Sequence, residues 1–175
     1  MECLGKLTKG QKIGMDVYEY AKENNLLKGS AIQNPEFREF FKNIKIKTIV
    51  EIGTFRGISS AYMAQFAKTI FTFDIVNYKV KYKVWEDLGL TNRIHYYTVK
   101  NSNEIKQVLD KIKFDFAFID DDHQYETVKE NFKLVSNCGK VLLHDTAKLK
   151  KFAGVRKFAD EIGAEIIDNI GYWHK

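Results

Sequence analysis

The residues best suited to chemistry sit where short apolar runs end. Thr48-Ile49-Val50-Glu51-Ile52-Gly53-Thr54-Phe55-Arg56-Gly57 is a β-branched run that carries an acid and then breaks into a turn with two glycines. Helix-like sequence follows at once, from Ile58 through Ala67. Glycine has no Cβ, so a strand–turn–helix junction of this kind lets backbone approach a ligand closely. About twenty residues further on, Ile70-Phe71-Thr72-Phe73 ends in Asp74, placed where an acid could hold the two hydroxyls of a ribose. The pattern is that of a chain that binds a nucleoside.

The same habit recurs downstream. A third apolar stretch runs into Lys100-Asn101-Ser102-Asn103, and Phe116-Ala117-Phe118-Ile119 runs into Asp120-Asp121-Asp122-His123. Val141-Leu142-Leu143 ends in His144-Asp145-Thr146. Packing does not require polar and acidic groups at successive strand ends. A site does.

These groups need a scaffold, and the periodicity supplies one. Strands are predicted at 48–52, 70–74, 93–99, 114–119, 139–144, 164–168 and 170–174. Helices fall between them at 58–67, 79–88, 102–112, 124–135 and 152–162. Two further helices, 11–27 and 35–43, precede the first strand, the second opened by Pro35 at its first turn. Their apolar positions are Ile13, Val17, Tyr20, Ala21 and then Phe37, Phe40, Phe41. The near-continuous apolar runs at 116–119 and 141–143 suit central parallel strands covered on both faces. The expected fold is therefore α/β, a doubly wound, mostly parallel sheet of seven strands. Ligands of such sheets bind outside the carboxyl ends of the strands. Residues 1–46 are expected to form a helical extension, a lid or a dimer contact, because an aromatic stripe must be covered. Residues 47–175 carry the sheet.

At 175 residues the chain is long enough for one domain with a real core. No apolar run approaches the roughly 20 residues of a membrane span, and MECLGKLTKGQK lacks the apolar stretch of a signal peptide. Cys3 and Cys138 have no metal-ligand spacing, which suits a reducing cytoplasm. The net charge of +5 favours phosphates and anionic surfaces, yet no nucleic-acid motif accompanies it, so nucleic acid is not the expected partner. The one basic cluster is Lys148-Leu149-Lys150-Lys151 with Arg156 and Lys157, on the same side as the acidic strand ends. It is either a solvated loop or an attractor for an anionic small-molecule substrate.

Taken together, the Glu-Ile-Gly-Thr-x-x-Gly loop, Asp74, the stretch Phe118-Ile119-Asp120-Asp121-Asp122-His123-Gln124-Tyr125-Glu126, and Leu143-His144-Asp145-Thr146 resemble class I S-adenosylmethionine-dependent methyltransferases. The subgroup most similar is that of macrocin-type sugar and natural-product O-methyltransferases and cephalosporin-hydroxylase-like proteins. The resemblance spans about residues 47–174. It implies that Glu51, Gly53, Thr54, Phe55 and Gly57 cradle the methionine part of the cofactor and that Asp74 binds its ribose. Asn101 and Ser102 match the segment beside the adenine. Asp120, His144 and Asp145 match positions that bind a divalent metal in metal-dependent members, with Asp120 also near the cofactor, and His123 matches a general base. Asp121 departs from the pattern, which has a glycine there. The absence of an inserted cap implies a cleft that is open or completed by a second subunit.

Methyl transfer is an in-line displacement from a sulfonium, so the protein's tasks are alignment and activation of a poor hydroxyl nucleophile. A nearby base or a metal can do the activating. Asp120 and Asp145, at the ends of neighbouring strands roughly 5 Å apart, suit Mg²⁺, while His144 tilts the choice toward Mn²⁺. Each residue also has a structural reading. The glycines could serve a tight turn, Glu51 could be a solvated strand end, and Asp74 or one acid of 120–122 could cap a helix. His123 could shape its loop, and Tyr78, Tyr82 and Trp85 read as core or helix-face residues. Two other functions stand beside methyl transfer: a nicotinamide-dependent oxidoreductase, which would want a third glycine where Ile58-Ser59-Ser60-Ala61 follows Gly57, and a non-catalytic nucleoside-binding module.

Overall fold

A computed structural model describes residues 14–175. Cys3 and Ile13 lie outside the described residues. The first helix is shorter than its pattern: α1 spans Val17–Glu23, opened by Asp16, whose carboxylate accepts the N–H groups of Tyr18 (2.9 Å) and Glu19 (3.2 Å). It stops at Asn24, and Asn25 takes a left-handed φ of 56°. Helix α2 is Pro35–Lys42, with the proline in its first turn.

The alternation then runs as the periodicity predicts: β1 Thr48–Ile52, α3 Ile58–Met63, β2 Thr69–Asp74, α4 Val80–Asp87, β3 Ile94–Thr98, α5 Ser102–Leu109 and β4 Phe116–Ile119. Next come α6 Tyr125–Val135, β5 Lys140–His144, α7 Ala153–Glu161, β6 Glu165–Ile167 and β7 Ile170–His174. The seven strands form one sheet in the order β3-β2-β1-β4-β5-β7-β6. The first five are parallel to one another; β7 is antiparallel to β5, and β6 to β7. Strand order reverses between β1 and β4, which puts the end of β1 at the switch point where such sheets bind ligands.

Side chains alternate across the sheet and give it two cores. Ile49, Ile70, Phe116, Phe118 and Leu142 face one side, with α1, α2, α3 and α4; Val50, Phe73, Ala117, Ile119 and Leu143 face the other, with α5, α6 and α7. The aromatic stripe of α2 is covered by the chain's own sheet. Phe37 packs on Phe118 (centroids 5.0 Å) and Phe41 on Phe116 (5.6 Å), both wholly buried. Among the described residues no helix is long and apolar enough to cross a membrane.

Candidate active site

The turn after β1 is built on Gly53. Its φ is 101°, and a Cβ there would stand 2.9 Å from the Asp121 nitrogen and closer still to the Asp120 carbonyl. Only glycine lets the loops after β1 and β4 meet this tightly. Gly57, at φ 73°, serves packing instead: an added Cβ would be 2.7 Å from Lys81 Cβ and 2.8 Å from Trp85 Nε1, and its carbonyl accepts the indole N–H at 2.9 Å. Trp85 is core, and Gly57 faces α4 rather than a cavity.

Glu51 also turns away from solvent. Strand alternation puts it on the side of Ile49, under α3, with no exposed surface. Ser59 (2.5 Å), Ser60 and Thr72 (2.6 Å) donate hydroxyls to it, and Thr72 Oγ1 lies 2.6 Å from Thr54 Oγ1. Burial pushes its pKa up to about 7 against the pull of those donors. It is not a solvated strand end; it lines neither of the cavities at the carboxyl edge of the sheet and ties the glycine turn, α3 and β2 together.

Two cavities open along the carboxyl edge of the sheet. The larger, about 620 Å³, is lined by Gly53, Thr54, Phe55, Asp120, His123 and Asp145, among others. The second, about 490 Å³, is lined by Val99, Asn101, Ser102, Ile105, Ile75 and Asn131, among others. Gly53, Asp74 and Asp121 line both. Asp74 accepts the N–H of Phe55 at 2.6 Å and that of Val76 at 2.8 Å, one on each oxygen. It caps no helix; α4 begins six residues later, at Val80. Each carboxylate oxygen retains a lone pair for a further donor. Asn101 caps α5 through Glu104 N (3.2 Å), and Ser102 donates to Glu130.

The acids after β4 have separate partners. Asp120 Oδ1 is 3.0 Å from His144 Nδ1, Asp121 accepts from Asn131 Nδ2 at 2.6 Å, and Asp122 accepts from the Thr127 hydroxyl at 3.2 Å. None of them caps α6, whose N-cap, Gln124, makes no side-chain cap either. His123 Nε2 lies 2.7 Å from Asp145 Oδ2, and its ring meets Phe152 edge-on at 5.0 Å.

His144 sits between two carboxylates, 3.0 Å from Asp120 and 3.4 Å from Asp145. Burial opposes its charged form, but Asp120's charge and hydrogen bond, then Asp145's, outweigh that and push its pKa up to about 10. Burial would raise Asp145, yet hydrogen bonds and charge from His144, then Asn169 and His123, hold it down to about 2. Asp145 takes a left-handed φ of 60°, a strained backbone that aims its carboxylate between the two histidines. Donor atoms of Asp120, His144 and Asp145 all lie within 4.8 Å of one another, close enough to share one cation.

Several wall residues carry no signal in the local pattern. Asn169, in the β6–β7 turn, donates to Asp145 Oδ1 (3.0 Å) and accepts Ala147 N–H (3.2 Å). Its own N–H goes to Glu36 of α2 at 3.2 Å, and Glu36 also takes Asn34 Nδ2 at 3.0 Å. Gly29, Ser30, Gln33 and Asn34 line the larger cavity, and Arg56 of the glycine turn donates to the Lys28 carbonyl. Gly154, at the start of α7, is set by a distant contact: a Cβ there would be 2.6 Å from Tyr125 N and closer to the His123 carbonyl.

The comparisons agree with this architecture. The O-methyltransferase from Bacillus cereus solved with SAH shares 19% identity, with 91% of this chain and 89% of that one aligned at a TM-score of 0.66. TomG, the O-methyltransferase from Streptomyces achromogenes involved in tomaymycin synthesis and solved with SAM, gives 18%, 98% and 92% at 0.68. The SAH-bound methyltransferase PaMTH1 from Podospora anserina gives 16%, 91% and 86% at 0.65. At these identities the likeness is one of fold. No curated protein matches the sequence. The family model described as a methyltransferase domain matches residues 50–146, from the glycine turn through the His144–Asp145 strand end, and the chain belongs to that methyltransferase family.

Proposed function

We propose that the protein uses S-adenosylmethionine to methylate a hydroxyl of a small molecule, in the manner of the macrocin-type sugar and natural-product enzymes that its acidic segment resembles. The observation that carries this reading is the shared wall of Gly53, Asp74 and Asp121 between two cavities. A nucleoside has room on the side of Val99, Asn101 and Ile105, and an acceptor has room beside His123 and Asp145. The fit to an adenosyl group rests on Asp74, which lines both cavities and has only one N–H on each carboxylate oxygen, leaving a lone pair on each for a ribose hydroxyl.

When bound, S-adenosylmethionine supplies an activated methyl group. The chain's own residues do the rest. Asp74 holds the ribose hydroxyls with the lone pairs that Phe55 and Val76 leave free. With His123 Nε2 held on Asp145, Nδ1 is the nitrogen left to take the acceptor's proton, and Asp145 stabilises the imidazolium that results. Asp120, His144 and Asp145 fit a divalent cation by donor type and spacing, and one imidazole among hard oxygens favours Mn²⁺ over Mg²⁺. Such a cation would lower the acceptor hydroxyl's pKa and position it. The proton on His144 competes for the same seat.

Calorimetry with S-adenosylhomocysteine and NAD⁺ tests the reading. S-Adenosylhomocysteine is expected to bind and NAD⁺ not. Asp74→Ala should weaken binding by about 3–6 kcal/mol, the cost of two hydrogen bonds to a charged group. Binding of NAD⁺ in preference, or an unaffected Asp74→Ala variant, would overturn it. Full S-adenosylhomocysteine binding without methyl transfer to any hydroxyl acceptor would favour the non-catalytic nucleoside module.

A further inference from the structure

The loop after Asp145 leaves the larger cavity, passes a second opening and returns. Asp145 lines the larger cavity, as do Lys151 and Phe152, while residues 147–150 between them line a separate groove of about 490 Å³ against α7. The groove is basic. Lys148, Lys150, Arg156 and Lys157 line it, and Asp160 is its one acid. Asp160 is already matched: both its oxygens lie 3.0 Å from Arg156 Nε. Lys148, Lys150 and Lys157 are exposed, and none of them has a carboxylate within ion-pair distance among the described residues. Elsewhere on the surface Lys83 pairs with Asp87 and Lys106 with Asp110. Lys157 holds its ammonium over the Tyr125 ring, 4.4 Å from the centroid, which leaves Lys148 and Lys150 as two uncompensated ammonium groups at one concavity, a local excess of positive charge that attracts anions.

The groove is not merely charged. Leu149, 51% exposed, stands in it beside Ala147 and Ala153, so an organic moiety has apolar surface to lie on. Arg156 reaches back through Nη1 to the Thr146 carbonyl at 3.4 Å, one residue from Asp145. That bond fixes the groove relative to the strand end where the acceptor's hydroxyl would sit. The geometry points to a phosphate subsite: the methyl acceptor is a small organic phosphate or diphosphate, its reacting hydroxyl beside His123 and its anionic group against Lys148 and Lys150. The inference rests on the methyl-transfer reading of the larger cavity. Phosphate suits the groove because it carries nearly two charges, and lysine binds it as a point charge without a fixed angle.

The test is calorimetric titration of the full chain with inorganic pyrophosphate at low and high salt, with S-adenosylhomocysteine titrated in parallel. The same measurements are made on the Lys148→Ala/Lys150→Ala variant, which removes only exposed side chains without an ion-pair partner among the described residues. Pyrophosphate should bind the wild type, more weakly in high salt, and at least about tenfold more weakly to the variant. Affinity for S-adenosylhomocysteine should stay within about twofold, since that ligand uses neither Leu149 nor the lysines. Equal pyrophosphate binding by both proteins, or none by the wild type, overturns the groove assignment alone. So does a short single-stranded RNA that binds the wild type and resists displacement by pyrophosphate. Pyrophosphate binding with no S-adenosylhomocysteine binding overturns the methyl-transfer reading, and with it the assignment of the groove to an acceptor.

Discussion

Two carboxylates stand near the ends of strands in the same sheet, and their surroundings give them opposite roles. Glu51, near the end of β1, has no cation nearby and three hydroxyl donors, and burial raises it to about 7. Asp145, just past the end of β5, lies against His144, His123 and Asn169, and is held down to about 2. The first is a scaffold acid close to losing its charge. The second keeps its charge at any pH the protein meets and shows it to a cavity. An acid's place at a strand tip therefore says less about function than the charge of its neighbours does.

That contrast can be broken most forcefully at Asp145. Asp145→Asn keeps the shape but loses the charge that orients His123, so methyl transfer to whichever hydroxyl acceptor is turned over should fall about 10²–10⁴-fold. S-Adenosylhomocysteine affinity should hardly change. A loss of less than tenfold would mean that the His123–Asp145 pair shapes a loop and nothing more.

Glu51 should show the reverse: a stability effect that depends on pH. Its folded pKa lies above the ordinary 4.5, so the native state holds the proton more tightly than the unfolded chain. The stability this confers is full below about pH 4.5 and is lost as pH rises through about 7. By pH 8 the loss is on the order of 3 kcal/mol. Glu51→Gln has no proton to lose, so its Tm should gain on the wild type between pH 5 and pH 8. A difference in Tm that stays flat across that range would show that Glu51 is charged throughout.

A smaller effect is expected at Gly154, which lets α7 lie against the backbone of the His123 loop. Gly154→Ala should cost about 1–3 kcal/mol of stability by overpacking. It should also reduce methyl transfer more than it reduces S-adenosylhomocysteine affinity, since it pushes on His123 and not on Asp74. Equal losses in both would indicate general loosening instead.

Much of this was legible along the chain. Apolar runs, the first-turn proline and the Gly53 turn locate every strand and nearly every helix to within a few residues, because those signals act over a handful of neighbours. Asp74, Asn101, Ser102, Asp120, His123 and Asp145 do meet at cavities, as residues following parallel strands must. Glu51 and Gly57 sit in the same motif and line neither. Which face of β1 lies beneath α3, and which helix crosses behind Gly57, are facts about packing partners far away in sequence. Asn169 and Ser30 enter the cavity from the two ends of the described chain, and no short window connects them to the acids they accompany.

Local order, from strand and turn to helix, and the gathering of acids along one edge of the sheet follow from residue types and their periodicity alone. Charge state and access do not. Whether a carboxylate is a buried strut or a working acid depends on which imidazoles, hydroxyls and amides the fold brings within 3 or 4 Å of it, because Coulombic and desolvation energies depend on separation in space and on exclusion of water.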